Sequence, residues 1–184
     1  MRRLPLLVAA AGLMMSVAAV AADQPAGFWA TPTITGYGKI HYLPDAAYKP
    51  VADQTYKIVF SLTQGAKSPG QVNPSLDRVA RTVNLYVAAG VPLDHLKFVA
   101  VAAGAATPLV LNDAQYRAAY GIPNPNLPLI AKLRAAGVDV AVCGQAVAEH
   151  QFQYGWVDPH VTLSLSALTT ITTLEHQGYG LMQM

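Results

Sequence analysis

From residue 55 onward, apolar and polar positions fall into short periodic blocks. "TYKIVFSL" (55–62) alternates and is rich in β-branched residues, which predicts a strand. Asn73-Pro74 then marks a helix start, with Asn as cap and Pro at the first helical position. Leu76, Val79, Ala80, Val83 and Val87 share one face of that helix, and Gly90 closes it. "LKFVAVAA" (96–103) predicts a second strand. The long segment 104–125 contains "NDAQYRAAYG", a short helix capped by Asn112. Another helix starts near Asn124 or Asn126, turns Leu129, Ile130 and Leu133 inward, and ends at Gly137. "VDVAVC" (138–143) predicts a third strand, "GQAVAEH" a short helix, and "HVTLSL" (160–165) a fourth strand. "SALTTITTLEHQG" has helical spacing despite its threonines, and "YGLMQM" ends the chain as a fifth strand.

Strands alternating with helices predict a three-layer α/β domain over 55–184: about five strands, mainly parallel, with helices on both faces. Its crossovers should be right-handed. Residues 23–54 break this rhythm. "FWATPTITGYGKIHYLP" is rich in Pro, Gly and aromatics and predicts an irregular arm holding a short strand or hairpin. Phe28 and Trp29 are expected to bury, against the parent domain or against a neighbouring subunit.

Residues 1–22 follow another logic. Arg2 and Arg3 precede an apolar run from Leu4 to Val20, and small residues allow cleavage after Ala22 or Ala21. That layout predicts a secretory signal peptide, and hence a periplasmic or secreted protein with no membrane segment after cleavage. It also changes the charge. Two of the 12 Lys and Arg lie in the leader, which leaves ten against 10 Asp and Glu. The neutral remainder gives no electrostatic case for binding nucleic acid. With 1 cysteine no intrachain disulfide can form, so packing must hold the fold.

That cysteine is the leading chemical candidate. Cys143 ends the third strand just before a helix start, at the sheet edge where open α/β sheets gather ligands. Backbone N–H groups at a helix start favour an anion, hence a thiolate. Gly144 would let a bound group approach the backbone. The same edge collects Thr63, Gln64 and Lys67 after the first strand, Gly104 and Asn112 after the second, and Ser164 and Ser166 after the fourth. Cys143, Gly144, Gln145, Lys67, Gly104, Asn112 and Ser164 form the candidate site. His160 begins a strand and belongs to the opposite edge. His150 lies about 10 Å along a straight helix from Cys143, so a direct pair would need a bend or another subunit. The five histidines show no metal-ligand spacing, and no glycine-rich phosphate loop, HExxH or CxxC occurs. No metal or cofactor is expected. A lone strand-end cysteine can equally be a small buried hydrophobe.

"ARTVNLYVAAGVPLDHLKFVAV", "NPNLPLIAKLRAAGVDVAVCGQA" and "SALTTITTLEHQGYGLM" together resemble the DsrE/DsrF-like family, and the arm resembles its exported branch. The resemblance implies a compact parallel α/β domain assembled as homotrimers or homohexamers. Sulfur-relay members carry persulfide sulfur on a cysteine after the corresponding strand, and Cys143 matches that position. Gly144 and Gln145 match the exported branch. Many relatives place a histidine just before the glycine that follows the second strand; this chain has Ala103 there. Two functions compete. One is a sulfur carrier or thiol-reactive accessory protein that exchanges sulfur with a donor or acceptor protein through Cys143. The other is a non-enzymatic small-ligand-binding or assembly module in which Cys143 only lines the cleft. No conventional enzyme motif is present.

Overall fold

The structure is a computed structural model that describes residues 27–184. The leader expected over 1–22, and the first residues of the arm, lie outside the described residues. Five strands appear where the periodicity puts them: β1 Tyr56–Leu62, β2 Leu96–Ala102, β3 Asp139–Cys143, β4 Thr162–Ser164 and β5 Gly180–Gln183. The helices between them are α1 Pro74–Ala88, α2 Asp113–Tyr120, α3 Leu127–Ala135, α4 Gly144–Glu149 and α5 Ala167–His176. Two differences are local. β4 is only 3 residues long, and the segment after β2 opens with a 3₁₀ helix over Gly104–Val110 rather than a loop.

All four strand pairings are parallel, in the order β4-β3-β2-β1-β5. That order explains the layers. The chain steps in one direction from β1 to β4, so right-handed crossovers put α1, α3 and α4 on one face. It then jumps back past β1 to reach β5, and the same handedness puts α5 on the other face. The pleat follows suit. Phe60, Phe98, Ala100, Val140 and Val142 bury against α1 and α3, while Val59, Val101 and Ala141 face Ile171 and Leu174 of α5. The α5 layer is thin: none of its residues is buried.

Local chemistry sets the helix ends. Asn73 accepts from the N–H groups of Ser75 and Leu76 at 2.9 and 3.2 Å and so caps α1. Asn112 caps α2 through Gln115 N–H at 3.0 Å.

The arm docks on α1 through Asn84, a fully buried residue inside that helix. Its Oδ1 accepts from the N–H groups of Thr33 and Ile34, and its Nδ2 donates to the carbonyls of Tyr37 and Gly38. Ile34 and Ile40 are buried beneath, and one antiparallel bridge joins Ala30 to Ile40. The aromatic pair does not bury on the parent domain. Trp29 is 51% exposed, and the half-buried Phe28 stacks on His41 with ring centroids 3.9 Å apart. The arm's fully buried apolar side chains are Ile34, which joins the main core, and Ile40.

Candidate functional site

The strand order creates a switch point. The chain leaves β3 into α4 on one face and leaves β4 into α5 on the other. A crevice therefore opens between the carboxyl ends of β3 and β4, the place where open α/β sheets hold ligands. Cys143 ends β3 and pairs in register with Ser164. By the pleat its side chain points to the α5 face.

Its sulfur is enclosed. Cys143 is 5% exposed, and Sγ accepts from Ala146 N–H at 3.4 Å, which makes the side chain the cap of α4. The thiol faces Ser166 Oγ at 4.0 Å. Ser166 in turn caps α5 through Leu168 N–H at 3.2 Å. One sulfur thus lies between the starts of two helices on opposite sides of the sheet. Ser164 turns its hydroxyl to the Val142 carbonyl at 2.9 Å, and Gln145 donates to the Leu165 carbonyl at 3.2 Å. Beside them lies an open recess of about 230 Å³, walled by Gly144, Gln145, Tyr154, Leu163, Ser164 and Leu165. Cys143 lies behind this wall and not in it.

Gly144 serves closeness within the chain rather than toward a ligand. A Cβ there would stand 2.8 Å from the Ser164 carbonyl oxygen, a backbone atom that cannot swing away. We expect Gly144→Ala to push β4 off β3, destabilise the fold by about 2 kcal/mol, and expose the thiol. A thermal melt and native-state alkylation of Cys143 check this; an unchanged melt with an unchanged alkylation rate would refute it.

The remaining candidates separate. Lys67 lines a different cleft, with Asn73, Tyr116 and Asn126, whose walls do not include Cys143. Thr63 and Gln64 line a third, with Arg78 and Gln183. The Asn112 carboxamide is occupied in capping α2. The Gly104 carbonyl accepts from Thr107 Oγ1 at 2.7 Å and meets His150 Nε2 at 2.9 Å. The imidazole thus ties α4 to the loop after β2. His160 bonds Asp158 at 2.9 Å. Ala103 stays close to the thiol: its backbone is extended, and one step past the Ala102–Val142 pair it falls beside Cys143 on the α5 face. Among the described residues no group of three or more His, Cys, Asp and Glu could hold a metal ion, and no helix is long and apolar enough to cross a membrane.

Sequence reasoning missed Tyr154 and Leu165 as walls. It also read Asn124 and Asn126 only as helix starts. Both are buried, and with Asn73 they form a ladder: Asn73 N–H to Asn126 Oδ1 at 2.7 Å, and Asn126 Nδ2 to Asn124 Oδ1 at 2.9 Å. The Asn-Pro step, at 73–74 and again at 124–125, was its one visible trace.

A five-stranded parallel sheet with a lone cysteine at its switch point defines a small open α/β protein with a thiol at the carboxyl edge of its sheet. The model of the DsrE/DsrF-like family matches residues 56–184, and the chain belongs to that family. A search of curated proteins finds no match. Among solved structures the chain is similar to a protein of unknown function, MTH1491 from Methanobacterium thermoautotrophicum. The likeness is 14% identity and a TM-score of 0.49 over 70% of this chain and 99% of that one.

Proposed function

We propose that this protein carries sulfane sulfur on Cys143. Members of the family are generally linked to sulfur relay. The observation that carries the reading is the position of the sulfur: at the β3–β4 switch point, where it accepts from an amide N–H and its thiol is directed at a serine oxygen. The Cys143 thiolate attacks the outer sulfur of a donor persulfide. A new S–S bond forms, the donor's S–S bond breaks, and the donor leaves as its thiolate. An acceptor thiolate then attacks the outer sulfur on Cys143 and releases the Cys143 thiolate. Neither step needs an oxidant or a reductant. Because the sulfur is enclosed, the Leu165–Ser166 turn must open to admit the donor.

The proposal extends to an exported protein that works in the periplasm or outside the cell, as the layout of residues 1–22 supports. It also extends to a homotrimer or homohexamer, supported by Leu165 and Leu168, 72% and 80% exposed beside the site. Sodium polysulfide followed by intact-mass spectrometry tests the chemistry. The wild type should gain the mass of one sulfur atom and lose it to an added thiol; Cys143→Ser should gain none. No gain on the wild type, or an equal gain on Cys143→Ser, overturns the carrier reading.

One observation favours the alternative, a binding or assembly module: the thiol is buried and lies outside the recess. Under that reading native Cys143 resists alkylation until the fold opens.

A further inference from the structure

A cleft away from Cys143 lies where the loop after β1 meets the 3₁₀ helix after β2. Its walls are fixed by close contact. A Cβ at Gly65 would stand 3.0 Å from the Ala105 carbonyl oxygen, so a side chain there would push loop and helix apart by a few tenths of an ångström. Tyr116 donates its hydroxyl to the Pro69 carbonyl at 2.7 Å and ties the same loop to α2. The floor is the asparagine ladder. Asn73 donates to the Gln64 carbonyl, and Asn124 donates to the carbonyls of Leu109 and Leu111. Asn73, Asn124 and Asn126 are 1%, 3% and 2% exposed, and their amides bond to one another and to these backbone groups. A satisfied buried network of this kind holds a site rigid before any ligand arrives.

The lining has one charge. Lys67 is its only ionisable group besides two tyrosines, no carboxylate shares the walls, and Lys67 forms no ion pair with any described residue. Ser68, Asn73 and Asn126 add neutral polar groups, and Pro69, Pro108, Leu109 and the rings of Tyr116 and Tyr120, whose centroids are 4.6 Å apart, make the apolar and aromatic walls. The space is about 200 Å³. One cation beside apolar and aromatic walls, over a neutral polar floor, matches a small molecule with a single anionic head and a flat or aliphatic body.

We infer that this cleft binds a small organic monoanion, a sulfonate or carboxylate on an apolar body, with Lys67 as the counter-charge. The inference does not rest on Cys143. Benzenesulfonate serves as the probe and neutral benzenesulfonamide as its control, read by amide NMR shifts of the full-length protein. Benzenesulfonate should give saturable shifts centred on Gly65–Ser68 and Ala105–Ala106, with a Kd on the order of 1 mM for a ligand of this size. The neutral control should bind more weakly. Lys67→Gln, a change at an exposed side chain, should weaken benzenesulfonate by about fivefold, the scale of an exposed ion pair. Cys143→Ser should leave the affinity unchanged, which separates this site from the sulfur-carrier reading. Absence of shifts at those amides, equal binding of the neutral control, or undiminished affinity in Lys67→Gln overturns the inference.

Discussion

Asn126→Ala should destabilise the protein by about 3 kcal/mol, because it leaves buried polar groups without partners. The side chain joins two neighbours at once. Its Oδ1 receives the Asn73 N–H at 2.7 Å, and its Nδ2 donates to Asn124 Oδ1 at 2.9 Å. Alanine takes both bonds away and leaves the buried Asn73 amide without its partner at the floor of the cleft. The Asn124 oxygen keeps its bond from Asn126 N–H, so the loss is weighted toward the Asn73 side. For a domain of this size the change corresponds to a melting temperature lower by about 8 °C. Chemical denaturation and thermal melts measure it. A melting temperature within a degree or so of wild type would mean that water enters and replaces the carboxamide. Asn126→Asp should also destabilise, since it keeps the acceptor for Asn73 but gives up the donor to Asn124 and adds a buried charge.

Gly38→Ala should release the arm from α1. Gly38 has φ +59°, a conformation that L side chains rarely adopt, and a Cβ there would fall 2.1 Å from Arg81 N and 2.4 Å from the Ala80 carbonyl carbon. Both atoms belong to the backbone of α1, so neither side can yield without breaking helix or arm. The segment around 30–40 should detach, at a cost of about 3 kcal/mol of local stability. That cost is bounded by what docking supplies: the four Asn84 hydrogen bonds, the bond from Gly38 N–H to Asp77 Oδ1 at 2.8 Å, and the burial of Ile34 and Ile40, each isoleucine contributing about 2 kcal/mol. Limited proteolysis reads the outcome directly. Cleavage within residues 30–50 should accelerate severalfold while the 55–184 domain stays intact. An arm as resistant as wild type would show that the helix tolerates the intrusion.

Much of the fold was legible because its signals are local. The alternation in "TYKIVFSL", the Asn73-Pro74 cap and the glycines after α1, α2, α3 and α5 act over a few residues, and the structure puts elements at each of them. The parallel sheet followed from the alternation of strand and helix. β4 is shorter than "HVTLSL" suggested: it pairs with β3 only over Thr162–Ser164, opposite Ala141–Cys143. The site was legible in part. Cys143, Gly144 and Ser164 do come together, as strand-end positions on adjacent strands. Lys67 and Asn112 share the carboxyl edge in the sequence reading but take other places in three dimensions. The arm's anchor, Asn84, carried no sequence signal, because a polar residue inside a helix gains meaning only from what docks on it.

The sequence by itself determined the inward faces of α1 and α3, the order of strands and helices along the chain, and that one cysteine would stand at a strand's carboxyl end. Periodicity and capping settle these points, and both are short-range. Only the tertiary structure decided which loops are neighbours. The return from β4 to β5 past β1 puts α5 alone on its face and sets Ser166 over the Cys143 sulfur. The same strand order gives Lys67 to a cleft built on asparagines. Strand order is fixed by how whole faces pack against each other, a long-range balance that no window of sequence contains.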